Sequence, residues 1–164
     1  MHLLVKNNLL YTKNKSFRCS IGTNGFTDNK VEGDLCTPTG KFNFNEIFYR
    51  KDKLGETKFL LPTYNITEND GWCDEPRSDF YNQHIKFPFK DSAENLYRSD
   101  DLYDIVCVIS YNTDPVLPGK GSAIFLHVAS HDFKSTHGCV ALGKEDMIEV
   151  AKQINHNSII TISN

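Results

Sequence analysis

With 164 residues, 18 lysines and arginines against 21 aspartates and glutamates, and a formal net charge of −3, the chain has the length of one domain. Its basic residues are scattered, so the phosphate-neutralising patch of a nucleic-acid binder is missing and nucleic acid is excluded as a partner. No window approaches the roughly 20 apolar residues of a membrane span, and the mean hydropathy of −0.44 suits a water-soluble chain. Asn7 and Asn8 interrupt the apolar start, which therefore lacks the core of a signal peptide; nothing in the sequence as written directs export.

The elements read mainly as strands. Short apolar-leaning runs at 3–5, 9–12 and 17–21, separated by Asn7-Asn8 and Lys13-Asn14-Lys15, carry the punctuation of a hairpin meander. Gly22-Thr23-Asn24-Gly25 closes the third run with residues that tolerate positive φ. After a turn-rich connection at 33–40, residues 41–44 alternate polar and apolar like a half-buried strand. Phe59-Leu60-Leu61-Pro62 predicts another strand, which the proline places at an edge or near its end. Residues 67–82, rich in Asp, Gly, Pro and aromatics, are expected to form a long irregular loop of the kind that more often carries function. Asp91 and Glu94 match a capping box and predict a short helix through Arg98. Two β-branched runs, 105–109 and 123–128, predict central strands. Between 144 and 155, Met147, Ile148, Val150, Ala151 and Ile154 share one helical face, with Glu145 and Asp146 in the first turn and Lys152 near the end. A last strand at 158–162 completes a mainly β domain over 1–164 with one or two short helices, undivided by repeat or linker.

Cysteine usage narrows the chemistry. Cys19, Cys36, Cys73, Cys107 and Cys139 are odd in number and form no Cys-x-x-Cys pair, so neither a disulfide framework nor a zinc ribbon is expected. Cys19 and Cys107 lie in strand-like apolar runs and read as small buried hydrophobes. Cys139 differs, since it follows Ser135-Thr136-His137-Gly138, and twelve residues upstream His127 ends the apolar run Ile124-Phe125-Leu126. A thiol must lose its proton to act as a nucleophile, and a nearby imidazole both accepts that proton and steadies the thiolate, lowering the ordinary thiol pKa of about 8.5. Gly138, without a Cβ, permits a sharp turn in which successive amide N–H groups converge on a developing oxyanion. Either His127 or His137 can serve as base; a side chain two residues from the nucleophile on a tight turn usually points elsewhere, which favours His127. His131 reads as a solvated loop residue. A zinc set of His127, His131, His137 and Cys139 competes with the thiol reading, and the expectation is no metal and no cofactor.

Thr136-His137-Gly138-Cys139, preceded by Ile124-Phe125-Leu126-His127, resembles the YkuD-type L,D-transpeptidases that cross-link bacterial peptidoglycan, whose members carry a strand-end histidine, a spacer and then Ser/Thr-His-Gly-Cys. Thr37-Pro38-Thr39-Gly40-Lys41-Phe42 is similar to the family's early Thr-Pro-x-Gly-x-Phe element, so the resemblance spans nearly the whole chain. It implies a YkuD-like β-sandwich or barrel-like domain in which Cys139 is the nucleophile and His127 the general base. It further implies an oxyanion hole from the amides of His137, Gly138 and Cys139, with Thr136 bracing the loop and the Val128 carbonyl orienting the imidazole. The interval from His127 to Cys139 is shorter than the family's usual one, and Ala141 stands where many members have Arg or Asn. Residues 70–82, with 97–104 and 121–125, resemble an insertion of one bacterial branch. A stem peptide offers carboxylates and an amine, so Arg98, Asp74 and Trp72 join Thr136 as candidate substrate-wall residues, the alternative for Trp72 being a cap on the core.

The activity so implied is acyl transfer on peptidoglycan stem peptides through a thioester on Cys139, by a monomer. Hydrolysis by an L,D-carboxypeptidase or amidase shares the first half of that reaction, and a non-catalytic peptidoglycan-binding domain is the reading from a different class. The implied substrate belongs to the cell envelope, whereas the lack of a leader leaves a cytoplasmic site open.

Overall fold

The structure, a computed structural model describing residues 1–164, contains fifteen strands and two short helices. The meander appears as β1 (His2–Lys6), β2 (Leu9–Tyr11) and β3 (Ser16–Ser20). Asn7 and Asn8, both at positive φ, make the two-residue turn that matches the right-handed twist of a hairpin. Next come β4 (Phe26–Thr27), β5 (Thr37–Pro38), β6 (Gly40–Phe42), β7 (Phe44–Tyr49), α1 (Lys51–Leu54) and β8 (Thr63–Asn65). The second half holds β9 (Asp70–Cys73), β10 (His84–Lys86), β11 (Ala93–Asn95), β12 (Ile105–Ile109), β13 (Phe125–Val128), β14 (Val140–Leu142), α2 (Lys144–Ala151) and β15 (Ile159–Ile162).

Ten strands form one sheet in the order β6-β15-β1-β2-β3-β14-β13-β12-β7-β8. The sheet curls around its own core: Leu3, Val5, Ile160 and Ile162 from one end share a buried cluster with Ile47, Ile105, Cys107 and Leu126 from the other, and Met147, Val150 and Ala151 of α2 close it. Alternation along each strand then assigns the opposite face. Val106 and Val108 of β12, Phe48 of β7 and Phe125 of β13 point away from the main core into a second cluster with Ile66, Trp72, Leu96 and Tyr103. A small sheet, β10-β9-β11, lies over that cluster. The unbroken apolar run 105–109 follows from this arrangement, because β12 is buried on both faces.

Four expectations change. Residues 91–98 form no helix: Ala93–Asn95 pair with Gly71–Cys73 as β11, the Asp91 carboxylate accepts the Ser78 hydroxyl at 2.6 Å instead of capping, and Leu96 is buried. Pairing to a distant strand overrides the local capping signal. The strand expected at 59–62 begins only after Pro62, whose carbonyl accepts the Ile47 amide at 2.9 Å, so Thr63–Asn65 runs parallel to β7. Residues 67–82 are not wholly irregular, because β9 crosses them; the Asp70 carboxylate closes the entering turn by accepting the Thr67 amide at 2.7 Å. Finally α2 stops at Ala151, four residues short of the periodic pattern, although Ile154 is still buried.

Candidate active site

The strand register brings His127 and Cys139 together. β13 and β14 pair in parallel with His127 opposite Ala141, so Cys139, two residues before Ala141 on an extended chain, shares its face and lies diagonal to His127. Its Sγ accepts the Phe125 amide at 3.4 Å and donates to the Ala123 carbonyl at 3.0 Å. No hydrogen bond joins the thiol to His127. The His127 ring is held from behind: Nδ1 lies 2.8 Å from the Val128 carbonyl and 3.2 Å from that of Leu102, which makes Nδ1 the protonated nitrogen and leaves Nε2 as the basic one. Tyr103 packs edge to face on the imidazole at 5.3 Å between centroids.

Two sequence motifs a hundred residues apart meet in the loop before Cys139. Thr136 donates its hydroxyl to the Cys139 carbonyl at 2.7 Å and accepts the Gly138 amide at 3.1 Å. Its own backbone bonds to Ile21 and Thr23, and the intervening Gly22 donates to the Thr37 hydroxyl at 2.8 Å. Thr37 thus braces the loop before Cys139 through Gly22. Gly138 sits at φ +137°, and a Cβ there would lie 2.8 Å from the Cys36 carbonyl oxygen. Both the conformation and the close approach of the 32–42 segment therefore demand glycine. With the Gly138 amide taken by Thr136, the His137 and Cys139 amides are the ones without an acceptor inside the protein.

The sequence matches the family model described as YkuD, L,D-transpeptidase catalytic domain, over residues 2–162. The chain belongs to the YkuD L,D-transpeptidase family. Among solved structures it is similar to L,D-transpeptidase 1 of Mycobacterium tuberculosis, with 9% identity and a TM-score of 0.44, covering 99% of this chain and 58% of that one. It is also similar to an L,D-transpeptidase from Mycobacterium smegmatis, with 8% identity and a TM-score of 0.45, again over 99% and 58%. The chain thus spans less than two thirds of the length of either. No curated protein matches it.

In this YkuD domain the two groups rest uncharged. Burial pushes the Cys139 thiol up to about 12, with the negative Glu94 acting in the same direction and the Phe125 amide and Lys30 opposing. Burial likewise drives the His127 imidazole down to about 4, against the pull of its two carbonyl partners. A thiolate steadied by imidazolium, the expectation from residue types, is therefore not the resting state: desolvation disfavours both ions more than a neighbouring imidazole favours the thiolate. What remains is a neutral imidazole and a protonated thiol.

A cavity of about 620 Å³ opens over this pair. Gly138 itself is buried beneath the turn, while Thr136, His137, Arg98 and Asp74 all line the cavity. Trp72 does not, and this corrects its assignment to the substrate wall. It is 3% exposed, packs edge to face on Phe125 at 5.1 Å and on Phe48 at 6.1 Å, and donates its indole N–H to Asn82 at 3.0 Å, so it caps the second core. Arg98 is engaged by Asp100 at 2.7 Å, whereas one oxygen of Asp74 is buried with no partner. His131 is exposed and away from the cavity. No three His, Cys, Asp or Glu side chains are grouped so as to hold a metal ion, and no helix is long and apolar enough to cross a membrane. Sequence reasoning missed Glu94, Tyr103 and Glu32 as cavity residues. Glu94, whose carboxylate accepts the Tyr103 hydroxyl at 2.6 Å, carried only its capping-box signal.

Proposed function

We propose that the chain is a single catalytic unit, residues 1–164, that performs cysteine-dependent acyl transfer on peptidoglycan stem peptides of the cell envelope. The observation that carries this reading is the diagonal placement of Cys139 and His127 on one sheet face at the floor of the cavity, with His127 Nδ1 bonded to Val128 and Nε2 left basic. As a peptide carbonyl preceding a terminal D-residue approaches, the S–H proton passes to His127 Nε2 and an S–C bond forms. The negative oxygen of the tetrahedral species is received by the free amides of His137 and Cys139. The C–N bond then breaks, the D-amino acid leaves with the proton from His127, and a thioester remains on Cys139.

Resolution by the side-chain amine of a neighbouring diamino acid forms a new C–N bond: the amine gives its proton to His127, sulfur departs, and the proton returns to sulfur. Water in place of the amine gives a carboxypeptidase by the same steps. Asp74 and Arg98 supply opposite charges to the wall for the amine and carboxylates of such a peptide.

A carbapenem, a strained acyl donor, tests the assignment through intact-protein mass spectrometry. One adduct is expected on the wild type and none on Cys139→Ala; an adduct that persists in the variant removes Cys139 as nucleophile. Muropeptide analysis with purified substrate then separates cross-linking from hydrolysis, and undiminished cellular function of a folded Cys139→Ala variant would instead mark a binding module.

A further inference from the structure

Asn82 lies outside the cavity, yet it saturates its amide around the backbone that faces the nucleophile. It is 4% exposed. Its Oδ1 accepts the Ala123 amide at 2.9 Å and the Trp72 indole N–H at 3.0 Å. Its Nδ2 donates to the Asn112 carbonyl at 2.7 Å and the Tyr111 carbonyl at 3.2 Å. All four sites of a side-chain amide are thereby used. The adjacent Tyr81 hydroxyl accepts the Gly121 amide at 3.0 Å and donates to Glu32, which also takes the Ser122 hydroxyl at 2.7 Å. The pair Tyr81-Asn82 thus clasps residues 121–123 at alternate amides.

Ala123 is held at φ +52°, the left-handed region that an alanine adopts only under constraint. In that conformation its carbonyl accepts the Cys139 S–H at 3.0 Å. A carbonyl oxygen this close favours the protonated sulfur and repels a thiolate. We propose that Asn82 is a positioning residue for the nucleophile: by fixing the Ala123 peptide it aims the carbonyl at Cys139, setting the orientation of the thiol and keeping it protonated until substrate arrives. The inference rests on Cys139 being the nucleophile.

Other titratable groups surround the thiol: Glu94 of β11, Tyr103 before β12, His127 of β13 and Lys30, just before the 32–42 segment. Asn82→Ala leaves all of them in place. The test reads the rate of Cys139 alkylation by iodoacetamide against pH, resolved by peptide mass spectrometry so that the half-buried Cys36 does not contribute. In Asn82→Ala the midpoint of the profile should fall by about one pH unit, which is about tenfold in rate at a fixed pH below it. Trp72→Phe removes the indole donor but leaves Ala123 on Asn82; its midpoint should stay at the wild-type value even where its Tm falls.

Ala123→Gly covers the case in which Asn82→Ala does not fold. It deletes no hydrogen bond, relieves the constraint at positive φ and frees the carbonyl to turn, so its midpoint should also fall. Unchanged midpoints in the folded variants, or a fall in Trp72→Phe equal to theirs, overturn the inference. Because alkylation needs no acyl donor, this failure is distinct from that of the proposed function, which is read by the carbapenem adduct.

Discussion

The Cys139 thiol donates to the Ala123 carbonyl at 3.0 Å and makes no hydrogen bond to His127. In the proposed reaction the thiol has to leave that carbonyl before His127 can take its proton. On the proposed reading, activation follows substrate binding rather than being a property of the empty site.

Stability should depend on pH through His127. The unfolded imidazole takes a proton near 6.5, whereas in the fold it does so only near 4. Between these values the unfolded chain holds the extra proton, so stability rises with pH across that window and falls by roughly 3 kcal/mol as pH drops from above 6.5 to 4. Thermal melts at pH 7.5 and 4.5 should show a smaller acid loss in His127→Asn than in the wild type. Equal losses would mean that the buried ring is not held neutral.

Glu94→Gln should make the thiol more acidic. The Glu94 charge raises the Cys139 pKa, and glutamine keeps an acceptor for the Tyr103 hydroxyl while removing that charge. Iodoacetamide alkylation of Cys139 near pH 8 should quicken several-fold, about threefold for half a pH unit. Slower alkylation would count against a direct field from Glu94.

Gly138→Ala should damage fold and site together. The new Cβ meets the Cys36 carbonyl oxygen at 2.8 Å in a conformation at φ +137°, at a cost of about 2 kcal/mol or more. Urea denaturation measures the loss, and the rate of carbapenem acylation should fall with it. Wild-type values for both would show that the loop can relax freely.

Trp72→Ala should act on stability alone. Removing a 3% exposed indole from between Phe48 and Phe125 costs about 3–5 kcal/mol. If the folded fraction below the transition acylates at the wild-type rate per folded molecule, the core assignment stands; selective loss of acylation at wild-type stability would return Trp72 to the substrate wall.

Features written in neighbouring residues were legible without a fold. The runs at 3–5, 9–12, 17–21, 105–109 and 158–162 each overlap an observed strand, because alternation and β-branching act within a few residues. The Thr136-His137-Gly138-Cys139 turn, its demand for glycine and the isolation of Cys139 from any Cys-x-x-Cys pairing were likewise local. Asp91 and Glu94 misled because a capping box is also local, while the pairing of β11 with β9 that defeats it joins residues about twenty apart.

Only the tertiary structure decided what depends on distant partners. Parallel pairing of β13 and β14 put Cys139 and His127 on one face; a shift by one residue would have turned them to opposite faces. Burial by the β9-β10-β11 layer sent Trp72 to the core, and burial keeps both Cys139 and His127 neutral, since desolvation is set by everything packed around a group. The strand patterning in the sequence pointed to a mainly β fold, and its motif singled out Cys139 as the candidate nucleophile. The upward shift of the Cys139 thiol comes from burial in the closed core, with Glu94 acting in the same direction, which no run of neighbouring residues encodes.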